Sequence, residues 1–131
     1  YKTYAMHPKI LLVDDNEDLV KITGIILKSE GYEVFDAGTV EEASQIIASQ
    51  KPALILLDVC ICQEDGLLFC NYLKHNASTN DIKVILMSGY DYSQKDWNGA
   101  DDFLYKPFDF NTLTNKVAAQ LSVTHISARS A

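Results

Sequence analysis

Residues 53–66 read ALILLDVCICQEDG, an apolar run that ends on a single carboxylate, Asp58. Ala53, Leu54, Ile55, Leu56 and Leu57 do not alternate with polar residues. That is the pattern of a central strand covered on both faces, as in a parallel sheet with helices on each side. Asp58 therefore stands at a strand's carboxyl end. In open α/β sheets the crevice beyond those ends is where ligands bind, so the position is suited to chemistry. An aspartate that only turns the chain is the plainer reading, and the flanking sequence has to choose between the two.

Outward from that run the chain repeats strand then helix. Lys9 to Val13, KILLV, is a second short apolar run that stops at Asp14 and Asp15. Asn16 then starts a helix with Leu19, Ile22, Thr23, Ile26 and Leu27 on one face and Gly31 as its stop. Tyr32 to Ala37 follows as a strand. Thr39 and Glu42 have capping-box spacing, and Ala43, Ile46 and Ile47 mark the buried face of a helix that ends before Pro52. Beyond Asp58 a loop runs to Asp65 and Gly66, and Leu67, Cys70 and Leu73 give a helix reaching about Asn76. Lys83 to Met87, KVILM, is a further strand that stops at Ser88 and Gly89. The polar segment Asp91 to Asn98 has room for one or two helical turns, with Trp97 as its large apolar residue. Asp101 to Tyr105 is the last strand, ending at Lys106 and Pro107. Asp109 can cap a final helix with Phe110, Leu113, Val117 and Leu121 as its buried stripe.

Strand and helix alternate five times, and right-handed crossovers then give an α/β fold: a parallel sheet with helices on both faces. A chain of 131 residues has room for one such domain. The expected organisation is an N-terminal extension over 1–8, the domain over 9–121 and a frayed tail over 122–131. Met6 is a candidate native start, with Tyr1 to Ala5 added ahead of it. A formal charge of -7 argues against direct binding to nucleic acid or an anionic membrane, both of which attract basic surfaces. No apolar run approaches the length of a membrane span, and the start lacks a signal-peptide core. Three cysteines, Cys60, Cys62 and Cys70, are an odd number that suits a reducing compartment, so a cytoplasmic location is expected.

Four of the five strands end on polar groups: Asp14 and Asp15, Asp58, Ser88 and Lys106. Carboxyl ends of parallel strands share one edge of the sheet, so these residues should converge. Carboxylates brought together repel one another unless protons or a cation neutralise them. An all-oxygen set with room for waters suits Mg²⁺ or Mn²⁺, which in turn favours a phosphoryl ligand. With the cation on one side and the Lys106 ammonium on the other, the charge of a transferring phosphoryl group would be neutralised. On this view Lys106 meets the phosphoryl group and not the empty site. Asp58 is then the nucleophile, forming an acyl phosphate, and Ser88 supplies a hydroxyl donor.

The acidic pair in LLVDDN, Asp58 with Asp65-Gly66 eight residues on, Ser88 after KVILM, and Lys106-Pro107-Phe108 together resemble the receiver domain of response regulators in two-component signalling. The resemblance spans about Lys9 to Leu121. It implies a flavodoxin-like, doubly wound sheet of five parallel strands in the order 2-1-3-4-5, with a short or irregular helix after the fourth. It implies Asp58 as phosphoacceptor, Asp15 and Asp58 as direct ligands of Mg²⁺ (or Mn²⁺), the Cys60 backbone carbonyl as a further ligand, and Asp14 acting through water. Lys106 is then the phosphate-binding lysine, joined to Pro107 by a cis peptide bond. Ser88 and Phe103 are the switch pair, the hydroxyl moving toward the phosphoryl group as the ring turns inward. The implied donor is a sensor histidine kinase or a histidine phosphotransfer protein. The implied output is an unidentified protein. Many relatives dimerise on the side after the fourth strand, but here Gly89 to Asn98 leaves room for only one or two turns, and Asp91, Asp96, Asp101 and Asp102 face Lys95 as the one base. A monomer or weak dimer that binds its partner near Phe103 and Trp97 is therefore expected.

Three departures accompany the resemblance. Cys62 replaces a common proline, so the loop 59–65 is expected to be less rigid. Serine stands for threonine at position 88, and the span from Ser88 to Lys106 is about one helical turn short. The rival readings are weaker. A haloacid-dehalogenase-type phosphohydrolase wants an aspartate where Cys60 stands. No G-x-x-x-x-G-K-[ST] loop is present for a nucleotide triphosphatase, and no Ser/Thr/Gly-rich loop for a flavin. A receiver-like interaction module that works without phosphorylation would normally have lost an acidic or lysine residue. A metal or redox site of Cys60, Cys62 and Cys70 lacks a fourth ligand, and His7, His75 and His125 are scattered.

Overall fold

The computed structural model describes residues 7–130, with side chains described to residue 122. Residues 1–6 of the expected extension, Ala131, and the His125 side chain lie outside what is described. The order is β1 (Lys9–Val13), α1 (Glu17–Ser29), β2 (Glu33–Ala37), α2 (Val40–Gln50), β3 (Leu54–Asp58), β4 (Cys60–Ile61), β5 (Glu64–Asp65), α3 (Gly66–Lys74), β6 (Lys83–Ser88), β7 (Asp102–Tyr105) and α4 (Phe110–Ser130). Five parallel strands form the main sheet in the order β2-β1-β3-β6-β7, while β4 and β5 pair as a small antiparallel hairpin. Numbered within the main sheet alone, the order is 2-1-3-4-5, as expected.

The non-alternating strands are covered on both faces, and period-two geometry sorts their side chains between two cores. Leu11, Val13, Ile55, Leu57, Val84 and Leu86 face one way with Ala43 and Ile47 of α2 and Phe69, Cys70 and Leu73 of α3. Ile10, Leu12, Leu54, Leu56, Ile85 and Met87 face the other with Leu27 of α1 and Leu113 and Val117 of α4. Leu54, Ile55, Leu56 and Leu57 are fully buried. Each stabilises the fold by roughly 1.5–3 kcal/mol relative to exposure, so β3 is the anchor on which the site is built.

The helices begin as their capping residues dictate. Asn16 Oδ1 accepts from the Leu19 N–H at 3.1 Å, Thr39 Oγ1 from Glu42 at 3.1 Å, and Asp65 Oδ1 from Leu67 at 2.9 Å. Two apolar residues do not take the expected places. Ile22 is 51% exposed, because the buried stripe of α1 runs through Val20, Thr23, Gly24 and Leu27. Phe110 is 57% exposed, because the buried stripe of α4 starts at Leu113 and continues through Val117 and Leu121. At the boundaries, α3 stops at Lys74, and α4 runs on to Ser130 where a frayed tail was expected.

Between β6 and β7 the chain makes only one 3-10 turn, Gln94–Asp96. Helix α3 takes over the packing of this segment: Asn98 Nδ2 donates to the Leu67 carbonyl at 2.9 Å, and Lys74 Nζ meets Asp101 Oδ2 at 2.7 Å. Trp97 Nε1 donates to the Tyr92 carbonyl at 3.2 Å, closing the segment on itself. No helix among the described residues is long and apolar enough to cross a membrane.

Candidate functional site

The carboxyl ends of β1, β3, β6 and β7 bring Asp14, Asp58, Ser88 and Lys106 to one edge of the sheet. The ladder carries each end slightly past its strand: Asp14 N–H donates to Ala37 O at 3.1 Å, Val59 N–H to Met87 O at 2.9 Å, and Lys106 N–H to Ser88 O at 2.9 Å. Asp14, Asp58 and Ser88 are buried, while Asp15 is exposed. One carboxylate oxygen from each of Asp14, Asp15 and Asp58 lies within 4.8 Å of the other two. The peptide bond Lys106-Pro107 is cis.

Lys106 Nζ bridges this cluster, 2.7 Å from Asp14 Oδ2 and 3.2 Å from Asp58 Oδ2. The ammonium thus already meets the carboxylates, contrary to the expectation that it waits for a phosphoryl group. Burial raises the Asp58 carboxyl above its ordinary range, and the Asp14 charge adds to the rise against the opposing pull of Lys106. Burial alone would lower the Lys106 ammonium, but the hydrogen bond and charge of Asp14, then those of Asp58, outweigh it and hold it above the usual value. Three carboxylates facing one ammonium leave two negative charges. That imbalance, with oxygen ligands only, fits a divalent cation of the Mg²⁺ or Mn²⁺ class.

The segment after Asp58 is more ordered than the sequence suggests. Cys60 pairs with Asp65 and Ile61 with Glu64 around a two-residue turn, in which Cys62 (φ 50) and Gln63 (φ 66) both have positive φ. Such a turn is the type I′ hairpin connection, and proline, locked near φ -65°, cannot stand at its first position. Cysteine at 62 thus goes with a tight hairpin and not with a looser loop. The Cys60 N–H donates to Asp58 Oδ1 at 3.3 Å and the Cys62 N–H to Asp15 Oδ2 at 2.9 Å. Gly66 closes the hairpin, its N–H 2.6 Å from Val59 O. A Cβ on Gly66 would overlap the Asp58 carbonyl oxygen and sit 2.8 Å from Val59 O, so only glycine fits this approach.

Ser88 Oγ accepts from the Tyr90 N–H at 3.0 Å. Phe103 is already inside, 2% exposed, with its ring 5.7 Å from Trp97, 5.9 Å from Tyr92 and 4.9 Å from Tyr105.

A chain of this order, with three acids and a lysine at the carboxyl edge, matches the model of the response regulator receiver domain over residues 10–118. The chain belongs to the response regulator receiver family. It is 32% identical over 121 residues to the DNA-binding dual master transcriptional regulator RpaA of Synechocystis sp., covering 89% of this chain and 50% of that protein. It is 36% identical over 118 residues to the CAI-1 autoinducer sensor kinase/phosphatase CqsS of Vibrio cholerae, covering 85% of this chain and 17% of that one. Among solved structures it resembles a CheY-like receiver domain protein from Methanospirillum hungatei, with TM-score 0.84 and 27% identity over 93% of this chain and 99% of the other. The chain thus spans about half of RpaA and less than a fifth of CqsS.

Within this receiver the remaining cysteine is structural. Cys70 is fully buried, its Sγ 3.7 Å from the carbonyls of Trp97 and Asn98, and burial pushes its thiol up to about 11. Cys60 and Cys62 are exposed. His75 is exposed, its Nδ1 2.8 Å from Asn71 O. Two features had no sequence signal. Glu64 Oε1 accepts from Val40 N–H at 3.1 Å, and Asp101, which receives the Val84 N–H at 2.8 Å and Lys74, ties β6 and α3 together. Both depend on pairings between segments far apart in sequence.

Proposed function

We propose that this receiver accepts a phosphoryl group on Asp58 from the phosphohistidine of a sensor histidine kinase or a histidine phosphotransfer protein. The observation that carries the reading is the Lys106 ammonium bridging two buried carboxylates beside a third. A carboxylate oxygen of Asp58 attacks phosphorus, the P–N bond to the donor imidazole breaks, and an acyl phosphate forms. Asp15 and Asp58, the Cys60 carbonyl and, through water, Asp14 would hold Mg²⁺ or Mn²⁺. When bound, the cation supplies positive charge beside the phosphoryl oxygens. Lys106 turns from the carboxylates to the incoming phosphoryl oxygens. Ser88 donates its hydroxyl to one of them and gives up the Tyr90 N–H. Phe103, already inside, holds the switched surface with Trp97, and an output protein reads it. The reading places the chain in the cytoplasm as a signalling domain that assists its own phosphorylation and dephosphorylation.

Incubation with acetyl phosphate and Mg²⁺, followed by intact mass measurement, tests the reading. Wild type should gain one phosphoryl group, and Asp58→Asn, or wild type in excess EDTA, should gain none. A wild type that stays unmodified under conditions that label a control receiver would favour the interaction module that works without phosphorylation.

A further inference from the structure

Asp15 is the exposed member of the carboxylate cluster, and an exposed side chain needs something to hold it toward its ligand. Among the described residues its carboxylate takes one hydrogen bond, from the Cys62 N–H at 2.9 Å, 47 residues along the chain. Cys62 can offer that N–H only because it stands at the first position of the hairpin turn, with φ 50. A non-glycine residue is disfavoured in this region because its Cβ crowds the following carbonyl oxygen, and Gln63 at φ 66 repeats the strain. The turn therefore needs to be held from outside. At its base Ile61 is fully buried and Gly66 is bonded to Val59. On the far strand, Glu64 Oε1 takes the N–H of Val40, the first residue of α2, at 3.1 Å. A first-turn N–H has no partner within its own helix, and a carboxylate is favoured there by the helix dipole.

We propose that Glu64 is a positioning residue for cation binding. By tying β5 to α2 it holds the hairpin turn, and so the Cys62 N–H, against Asp15. This rests on the reading of the carboxylate cluster as a cation site, and it adds Glu64, which touches none of the reacting atoms. Glu64 also brings a negative charge to an acidic neighbourhood, so its hydrogen bond and its charge must be separated. Glutamine keeps the acceptor oxygen and loses the charge, whereas alanine loses both.

The experiment is a Mg²⁺ titration of ¹⁵N-labelled wild type, Glu64→Gln and Glu64→Ala, with hydrogen exchange of the Val40 and Cys62 amides measured in the same samples. Loss of a group bonded directly to a metal ligand costs about 10–100-fold in affinity, and Glu64 acts one contact further out, so a severalfold loss is expected. Glu64→Ala should show that loss together with faster exchange at both amides, and Glu64→Gln should keep most of the affinity and of the protection. Equal losses in the two variants would assign the effect to charge and overturn the positioning role. Unchanged affinity in Glu64→Ala, with the Cys62 amide still protected, would overturn it as well. A wild type that does not respond to millimolar Mg²⁺ would instead overturn the cation site, and Cys62 exchange in Glu64→Ala would still report whether Glu64 holds the turn.

Discussion

Lys106 and Asp14 are joined by a 2.7 Å contact between residues 92 positions apart in the chain. The lysine also reaches Asp58 at 3.2 Å, so in this state its ammonium supplies charge that a divalent cation would otherwise bring. Lys106→Ala should therefore bind Mg²⁺ severalfold more tightly than wild type, because two carboxylates lose their neutralising partner. The same variant should no longer shift its Trp97 fluorescence when beryllofluoride is added, since no ammonium meets the phosphoryl analogue. Weaker Mg²⁺ binding in a folded Lys106→Ala would show that the contact positions the ligands and does not compete with the cation.

Asp58 carries the opposite lesson for stability. Its carboxyl is raised above the ordinary value first by burial and then by Asp14. Between the unfolded and the raised folded value, the folded chain holds a proton that the unfolded chain has released. Stability from this group is therefore greater below the window and falls as pH rises through it. Asp58→Asn removes the penalty, while Lys106 keeps Asp14 as a partner. Without added metal the variant should be more stable at neutral pH. Urea unfolding at pH 7 measures it, and a midpoint at or below that of wild type would refute it.

Gly66 couples the site to α3 through backbone alone. A Cβ there would press on the Asp58 carbonyl oxygen and lie 2.9 Å from Val59 Cα, neither of which is a flexible group. Gly66→Ala should cost about 1–3 kcal/mol of folding stability and slow phosphorylation from acetyl phosphate, because the end of β3 must move. A wild-type urea midpoint would mean that the helix start yields freely.

The sheet and its converging acids were legible because their signals are local. Unbroken apolar runs such as Leu54 to Leu57 admit few alternatives, and parallel pairing then brings their ends to one edge. Ile22 and Phe110 fit the helical spacing yet lie exposed, because spacing gives a face without showing where the packing partner ends. The hairpin left no trace, since Cys62-Gln63 lacks the Asn-Gly or Asp-Gly that marks such a turn. The Lys106 bridge carries no local signal, because a lysine at a strand's end suits an anionic ligand as well as the acids 48 and 92 residues away that surround it.

That turn makes its own prediction. Gln63 is exposed, and glycine accepts φ 66 without the clash of a Cβ. Gln63→Gly should stabilise the folded chain by about 0.5–1 kcal/mol, the strain relieved less the added freedom of the unfolded chain. Thermal unfolding would show a higher Tm; a lower one would mean that the turn is not strained at this position.

The last prediction concerns assembly. The sequence suggested an acidic output side, with Asp91, Asp96, Asp101 and Asp102 beside Lys95 as the one base. In the structure Asp101 is met by Lys74 at 2.7 Å and Asp102 by Lys116 at 3.1 Å, so charge repulsion is a weaker reason against self-association than it first looked. The stronger reason is shape. One 3-10 turn replaces a full helix between β6 and β7, so two copies meeting on this side would lack the side chains that a helix would bring to the contact. What the side does offer is two exposed aromatics, Tyr90 at 76% and Tyr105 at 49%, with the Tyr105 hydroxyl donating to Asp91 at 2.7 Å. Aromatic side chains of this kind anchor protein partners. The beryllofluoride complex should therefore sediment as a monomer or weak dimer at tens of micromolar. Replacing Tyr90 and Tyr105 with serine should leave sedimentation and phosphorylation unchanged while abolishing output in the cell. A tight symmetric dimer that these two substitutions disrupt would show instead that the aromatics serve self-association.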